Sequence, residues 1–191
     1  MSGSIALFGT SADPPTLGHR ALLQGLVHHY PAVATWASDN PLKQHVAPLP
    51  LRTALLAAMV DAIGDPRLSL HQELSSPWAI ETLERARRLW PDRTPVLVVG
   101  SDLAGAIPRW HQADALLRDC RLALVPRQGW PLDAAALDRL RAAGARVDVL
   151  HLAVPATASS ALRHGADTAG SLPAELRPLL LQHNPYGLPL P

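Results

Sequence analysis

The 191-residue chain is 48% hydrophobic and 17% charged, a globular composition that excludes a disordered polymer and leaves room for one domain with a developed core. Its net charge of +1, from 17 basic and 16 acidic residues, gives no broad field for a polyanion. No nucleic-acid partner is therefore expected, although a local pocket for a few phosphates is allowed. No apolar run approaches the roughly 20 residues of a membrane span, so no membrane partner is expected. The single Cys120 excludes an internal disulfide, and without a leader-like segment the expected location is the cytoplasm.

The apolar run Ile5-Ala6-Leu7-Phe8 ends at Gly9-Thr10-Ser11 and predicts a buried strand leaving its sheet. Pro14 and Pro15 forbid a helix until about Leu17. From Gly18 to Tyr30, Leu22, Leu23, Leu26 and Val27 recur at helical spacing. Val33 to Ala37 reads as a second strand, Asp39 to Pro50 as a proline-bounded loop, and Leu51 to Ile63 as a helix with Leu55, Met59 and Ile63 on one stripe. Leu68 to Leu70 predicts a short strand. Ser76-Pro77 reads as an N-cap followed by proline at the first helical position, opening a helix to about Leu89.

Val96-Leu97-Val98-Val99, within Pro95 to Gly100, is the clearest buried strand. Arg121 to Val125 and Val147 to Leu152 read as further strands around a helix from Asp133 to Ala143. Pro173 to Gln182 closes the chain as a helix. Short apolar strands alternating with helices predict parallel βαβ units, hence an α/β, doubly wound, Rossmann-like parallel sheet with helices on both faces. No linker composition interrupts the chain, so residues 1–191 are read as a single domain. Ligands of such sheets sit beyond the carboxyl ends of the strands, where strand order reverses. Residues 9–19 and Gly100-Ser101-Asp102 both lie where that site is expected.

The stretch from Gly9 to His19 carries the first chemical signal. Gly9 and Gly18 let backbone come close to a ligand, Gly18 where a helix begins, and a helix start offers amide groups and a positive dipole end to phosphate. Thr16 and His19, three apart, project to the same side of the first turn, where hydroxyl and imidazole can both donate to phosphate oxygens. The same residues also describe a strand-to-helix turn with a structural histidine. Thr157-Ala158-Ser159-Ser160-Ala161-Leu162-Arg163 carries the second signal. Ser159 or Ser160 can cap a helix, and Arg163, one turn on, can grip phosphate with its planar fork. An ordinary capped helix with a solvated arginine fits it as well.

Together, the two stretches resemble the signatures of the nucleotidyltransferase superfamily. Thr16-Leu17-Gly18-His19 is similar to its Thr-x-Gly-His form and residues 157–163 to its Ile-Ser-Ser-Thr-x-Ile-Arg, with Ala158 where a serine is usual. Asn40-Pro41-Leu42-Lys43 with Arg52 resembles the Pro-x-Lys loop and downstream arginine of the nicotinate-nucleotide adenylyltransferases. In the same family, Ser76 to Leu83 resembles Ser-Tyr-Thr-x-Asp-Thr-Leu, and Gly100-Ser101-Asp102 with Trp110 and Arg127 resembles Gly-x-Asp…Trp…Arg. The ending Asn184-Pro185-Tyr186 is similar to the family's closing tyrosine.

This resemblance implies transfer of AMP from ATP to nicotinic acid mononucleotide, with Mg²⁺ bridging the phosphates. It implies catalysis by Thr16, His19, Lys43 and Arg163. ATP would meet Gly9, Thr10, Ser11, Gly18, Gly100, Asp102, Ser159 and Ser160, with Asp102 accepting from ribose hydroxyls or lying near the metal. The pyridine nucleotide would meet Trp78, Ala79, Trp110 and Arg127, with Trp110 as a flat face for the ring and the amides around Trp78 and Ala79 facing the carboxylate. Ala79 stands where the family has a threonine, and Trp78 where it has a tyrosine. The alternatives are a nicotinamide mononucleotide or phosphopantetheine adenylyltransferase, or a non-catalytic nucleotide-binding module on the same fold. A fragment of a class I aminoacyl-tRNA synthetase would need a Lys-Met-Ser-Lys-Ser-like loop, which is absent. So are a Walker loop, a G-x-G-x-x-G turn and a His-Glu-x-x-His pair. Nothing in the sequence specifies an oligomeric state.

Overall fold

A computed structural model describes residues 3–40, 43–126, 129, 131–157, 159–164 and 170–189. Its six strands are β1 (Ser4–Thr10), β2 (Val33–Ala37), β3 (Leu68–Leu70), β4 (Thr94–Gly100), β5 (Arg121–Val125) and β6 (Arg146–Val149). They form one parallel sheet in the order β3-β2-β1-β4-β5-β6. The chain runs outward from β1 to β3, returns to lay β4 beside β1, and then runs outward the other way. Strand order therefore reverses between β1 and β4, which places the ligand crevice beyond Thr10 and Gly100.

Period-two alternation sends neighbouring residues of each strand to opposite faces. Ala6, Phe8, Val96, Val98, Ala123 and Val125 pack with α1 (Leu17–His29), α2 (Leu49–Ile63), α6 (Ser159–Arg163) and α7 (Arg177–Gln182). Ile5, Leu7, Leu97, Val99, Leu122 and Leu124 pack with α3 (Ala79–Leu89), α4 (Ala113–Asp119) and α5 (Ala134–Ala142). Two covered faces explain why Val96–Val99 is apolar without interruption.

The predicted doubly wound sheet is thus observed, with local departures. Helix α2 begins at Leu49, two residues before the predicted start, because Pro50 sits in its first turn, where its missing N–H costs nothing. Ser76 does not cap α3: the N-cap position is Trp78, and Ser76 Oγ instead accepts from Trp78 N (3.2 Å) and donates to Glu81 Oε2 (2.5 Å). Strand β6 stops at Val149 rather than Leu152. There the chain folds into tight turns, Leu152 N to Leu150 O at 3.0 Å and Val154 N to Leu152 O at 2.9 Å. The closing helix divides into a 3₁₀ turn, Ala174–Leu176, and α7. Helix α4 and the 3₁₀ turns Gln72–Leu74, Ser101–Leu103 and Ile107–Arg109 were not predicted.

Leu26 of α1 is fully buried in the first core. Its replacement by alanine removes transfer energy and leaves a cavity, so Leu26→Ala should lower stability by about 2–5 kcal/mol. Urea denaturation checks this, and a loss below about 1 kcal/mol would mean that the helix re-seats over the gap.

Candidate active site

Beyond β1 the chain makes a constrained turn. Thr10 O accepts Ser38 N at 2.7 Å, tying this end to the end of β2. Ala12 is fully buried with φ +49°, a left-handed backbone that a residue with a Cβ adopts only under local strain. The Asp13-Pro14 peptide is cis. The Asp13 carboxylate, 1% exposed, accepts Val46 N (2.9 Å) and Ala47 N (3.0 Å), so the loop after β2 is fastened to the loop after β1.

Thr16 is the N-cap of α1 and His19 its third residue. The His19 ring turns back so that Nδ1 accepts Thr16 N at 3.1 Å and lies 2.8 Å from Thr16 Oγ1. An amide can only donate, so Nδ1 is an acceptor and the proton of the neutral ring resides on Nε2. A local capping contact thus makes His19 an Nε2 donor.

The expectation of open amides at this helix start is corrected. Leu17 N donates to Ser171 O (2.9 Å) and Gly18 N to Thr157 Oγ1 (2.7 Å). Gly18 serves instead to admit another backbone: a Cβ there would lie 2.8 Å from Thr157 Oγ1 and 3.2 Å from the carbonyl oxygens of Pro155 and Thr157. Gly9 likewise makes room for protein, since a Cβ would fall 2.6 Å from the Trp36 ring.

The two motifs meet here. The buried Thr16 hydroxyl donates to Thr157 O at 3.0 Å, with Thr157 Oγ1 3.3 Å from it. Ser159 Oγ donates to Pro14 O at 2.8 Å. Arg163 Nη1 donates to Asp13 O at 2.6 Å and lies 3.9 Å from Asp13 Oδ2. Ser159 and Ser160 both lie inside the five-residue α6 and do not cap it from outside. Ser160 is exposed. Arg163 is partly exposed, and its remaining N–H groups can still face a ligand.

Lys43, in the fastened loop, is exposed. Arg52, which the sequence singles out only by resemblance, is 1% exposed and holds the whole rim. Its guanidinium donates to Ala47 O (3.1 Å), Ser11 O (2.9 Å), Ser38 O (2.7 Å) and Asp39 Oδ1 (2.9 Å). Its signal was a charge on an otherwise apolar helix stripe with Leu55 and Met59. His45 Nδ1 stands 3.8 Å from Asp13 Oδ2, and burial, then the charge of Arg52, hold its imidazole below the ordinary histidine range. The buried Tyr186 hydroxyl is held protonated by burial first and by the Asp13 charge second.

Across the crevice, Gly100 ends β4 and its open side is filled by the Asp102 carboxylate. Ser101 is buried and Asp102 exposed. Ala79 and the half-buried Trp110 pack against the second core, whereas Trp78 is exposed. The Trp78 indole stacks on His111, with centroids 4.6 Å apart and planes inclined by 36°. His111 carried no sequence signal. Arg127 and Ala158 lie outside the described residues. A groove of about 800 Å³, lined by Pro126, Gly129, Pro131 and residues 151–155, runs up to the Pro155 carbonyl that abuts Gly18. Among the described residues no group of three or more acidic, histidine or cysteine side chains is placed to hold a metal, and no helix is long and apolar enough to cross a membrane.

A parallel sheet with a threonine–histidine turn beyond its first strand, met by a serine–arginine helix from the far end of the chain, defines a nucleotidyltransferase. The cytidylyltransferase-like family matches residues 7–166. A probable nicotinate-nucleotide adenylyltransferase of Synechocystis sp. is 39% identical over 159 residues, covering 77% of this chain and 78% of that protein. One from Methylorubrum extorquens is 30% identical over 177 residues, covering 86% and 94%. The chain belongs to the nicotinate-nucleotide adenylyltransferase family. In fold it is similar to Plasmodium falciparum nicotinic acid mononucleotide adenylyltransferase complexed with NaAD, with a TM-score of 0.79, 15% identity, and 98% and 99% of the two chains covered.

Replacing Arg52 with methionine keeps the bulk but strands three rim carbonyls. Arg52→Met should therefore cost about 3 kcal/mol in chemical denaturation. A loss below about 0.5 kcal/mol would show that water satisfies the rim instead.

Proposed function

We propose that this chain, as a single domain acting in the cytoplasm, transfers AMP from ATP to nicotinic acid mononucleotide, giving deamido-NAD and pyrophosphate. The observation that carries the reading is the junction of Thr16 and His19 with Thr157, Ser159 and Arg163 beyond β1. It gathers a neutral imidazole with its proton on Nε2 and a guanidinium with unspent donors. Such an arrangement suits a triphosphate, with both groups donating to oxygens on which charge builds as the α-phosphorus changes partners.

The attacking group is a phosphate oxygen of the mononucleotide, in line with the departing pyrophosphate, and no covalent intermediate with the chain forms. Lys43 adds a mobile charge from the fastened loop. The groove leading to Pro155 suits the purine. Trp78, Ala79 and Trp110 across the crevice take the pyridine. Mg²⁺, held through the phosphates, would supply further neutralisation.

Pyrophosphate release with ATP and Mg²⁺ should be fastest with nicotinic acid mononucleotide, slower with its amide, and absent with phosphopantetheine. No turnover of either pyridine nucleotide would sink the reading. His19→Ala should lower kcat by about 10²–10³-fold. Its circular dichroism spectrum should match the parent, with the melt lowered only by the lost cap contact to Thr16 N, and near-normal turnover would remove His19 from the chemistry.

A further inference from the structure

The acid mononucleotide differs from its amide in one charged group, and Ala79 offers that group no hydroxyl. The fold sets another polar side chain at the same place. His111, between the 3₁₀ turn Ile107–Arg109 and α4, lays its imidazole on the indole of Trp78, the residue just before Ala79. Both side chains are exposed, and the His111 ring nitrogens make no hydrogen bond among the described residues. A donor is therefore unspent.

At 4.6 Å between centroids the two rings are in contact, so no third ring lies between them as they stand. A pyridine brought to this side of the crevice meets the outside of the pair, where the imidazole is exposed. Trp110, the chain neighbour of His111, is anchored in the second core, which fixes the backbone from which the imidazole projects.

We propose that His111 is a specificity-determining residue, its imidazole N–H donating to the nicotinate carboxylate in place of the absent hydroxyl. The inference rests on the pyridine site proposed above. A hydrogen bond to an ionised acceptor is about twice as strong as one between neutral groups, and the amide offers only a neutral carbonyl. The same contact therefore favours the acid. Stacking on Trp78 restrains the imidazole beforehand, which reduces the ordering cost at binding.

The test compares kcat/KM for nicotinic acid mononucleotide with that for nicotinamide mononucleotide, by pyrophosphate release. In His111→Phe, which keeps a ring on Trp78 but removes the donor, the acid-to-amide ratio should fall about tenfold. In His111→Gln, which restores an N–H, it should return to within about threefold of the parent. An unchanged ratio in His111→Phe overturns the proposal, and so does an equal fall for both substrates, which would mark a structural role. Calorimetric titration with each mononucleotide reads the same preference without turnover. An inactive chain whose preference for the acid still depends on His111 overturns only the enzymatic reading. A chain that binds neither mononucleotide overturns both.

Discussion

The site depends on a buried carboxylate. Asp13 is removed from water, and an ion so placed costs several kcal/mol unless its oxygens are satisfied. The amides of Val46 and Ala47 fill that need, with Arg163 and His45 close by. Satisfying one charge therefore fixes three pieces of chain: the turn after β1, the loop carrying Lys43, and the helix carrying Arg163. Arg52 does the complementary work with the opposite charge, gathering carbonyls at the ends of β1 and β2 and in that loop. Much of what looks like ligand-binding polarity in the sequence is used by the protein to build its own rim.

The sheet then divides the labour. Thr16, His19 and Arg163 come from elements packed on one face, whereas Trp78, Ala79 and Trp110 come from elements on the other. The two sets face each other only past the strand ends, at the reversal between β1 and β4. A reaction that joins two nucleotides needs such an arrangement. In the proposed reaction each layer would hold its own substrate, with the reacting phosphates meeting over the edge of the sheet.

Glycine use follows the same logic. Gly9 and Gly18 read from sequence as openings toward a ligand, yet each admits protein: the Trp36 indole in one case and the irregular segment around Thr157 in the other. The contacts at Gly18 are the more consequential, because that close approach lets Thr157 bond both Gly18 and Thr16.

The sequence by itself determined the sheet, its winding and the positions of most helices, because apolar periodicity and proline placement act over a few residues. It also singled out His19 and Arg163 as groups able to donate to phosphate, since residue type fixes which groups carry donors, whereas the buried Thr16 hydroxyl donates to Thr157 O. Only the tertiary structure decided that Gly18 and Ser159 serve packing, that α3 starts at Trp78 rather than at Ser76-Pro77, that Arg52 is a structural hub, and that His111 lies on Trp78. Each of these turns on contacts between residues far apart in the chain, or on competition for a single hydrogen bond. Neither leaves a periodic trace: the partner of Gly18 N is Thr157 Oγ1, 139 residues away, and no local pattern encodes that distance.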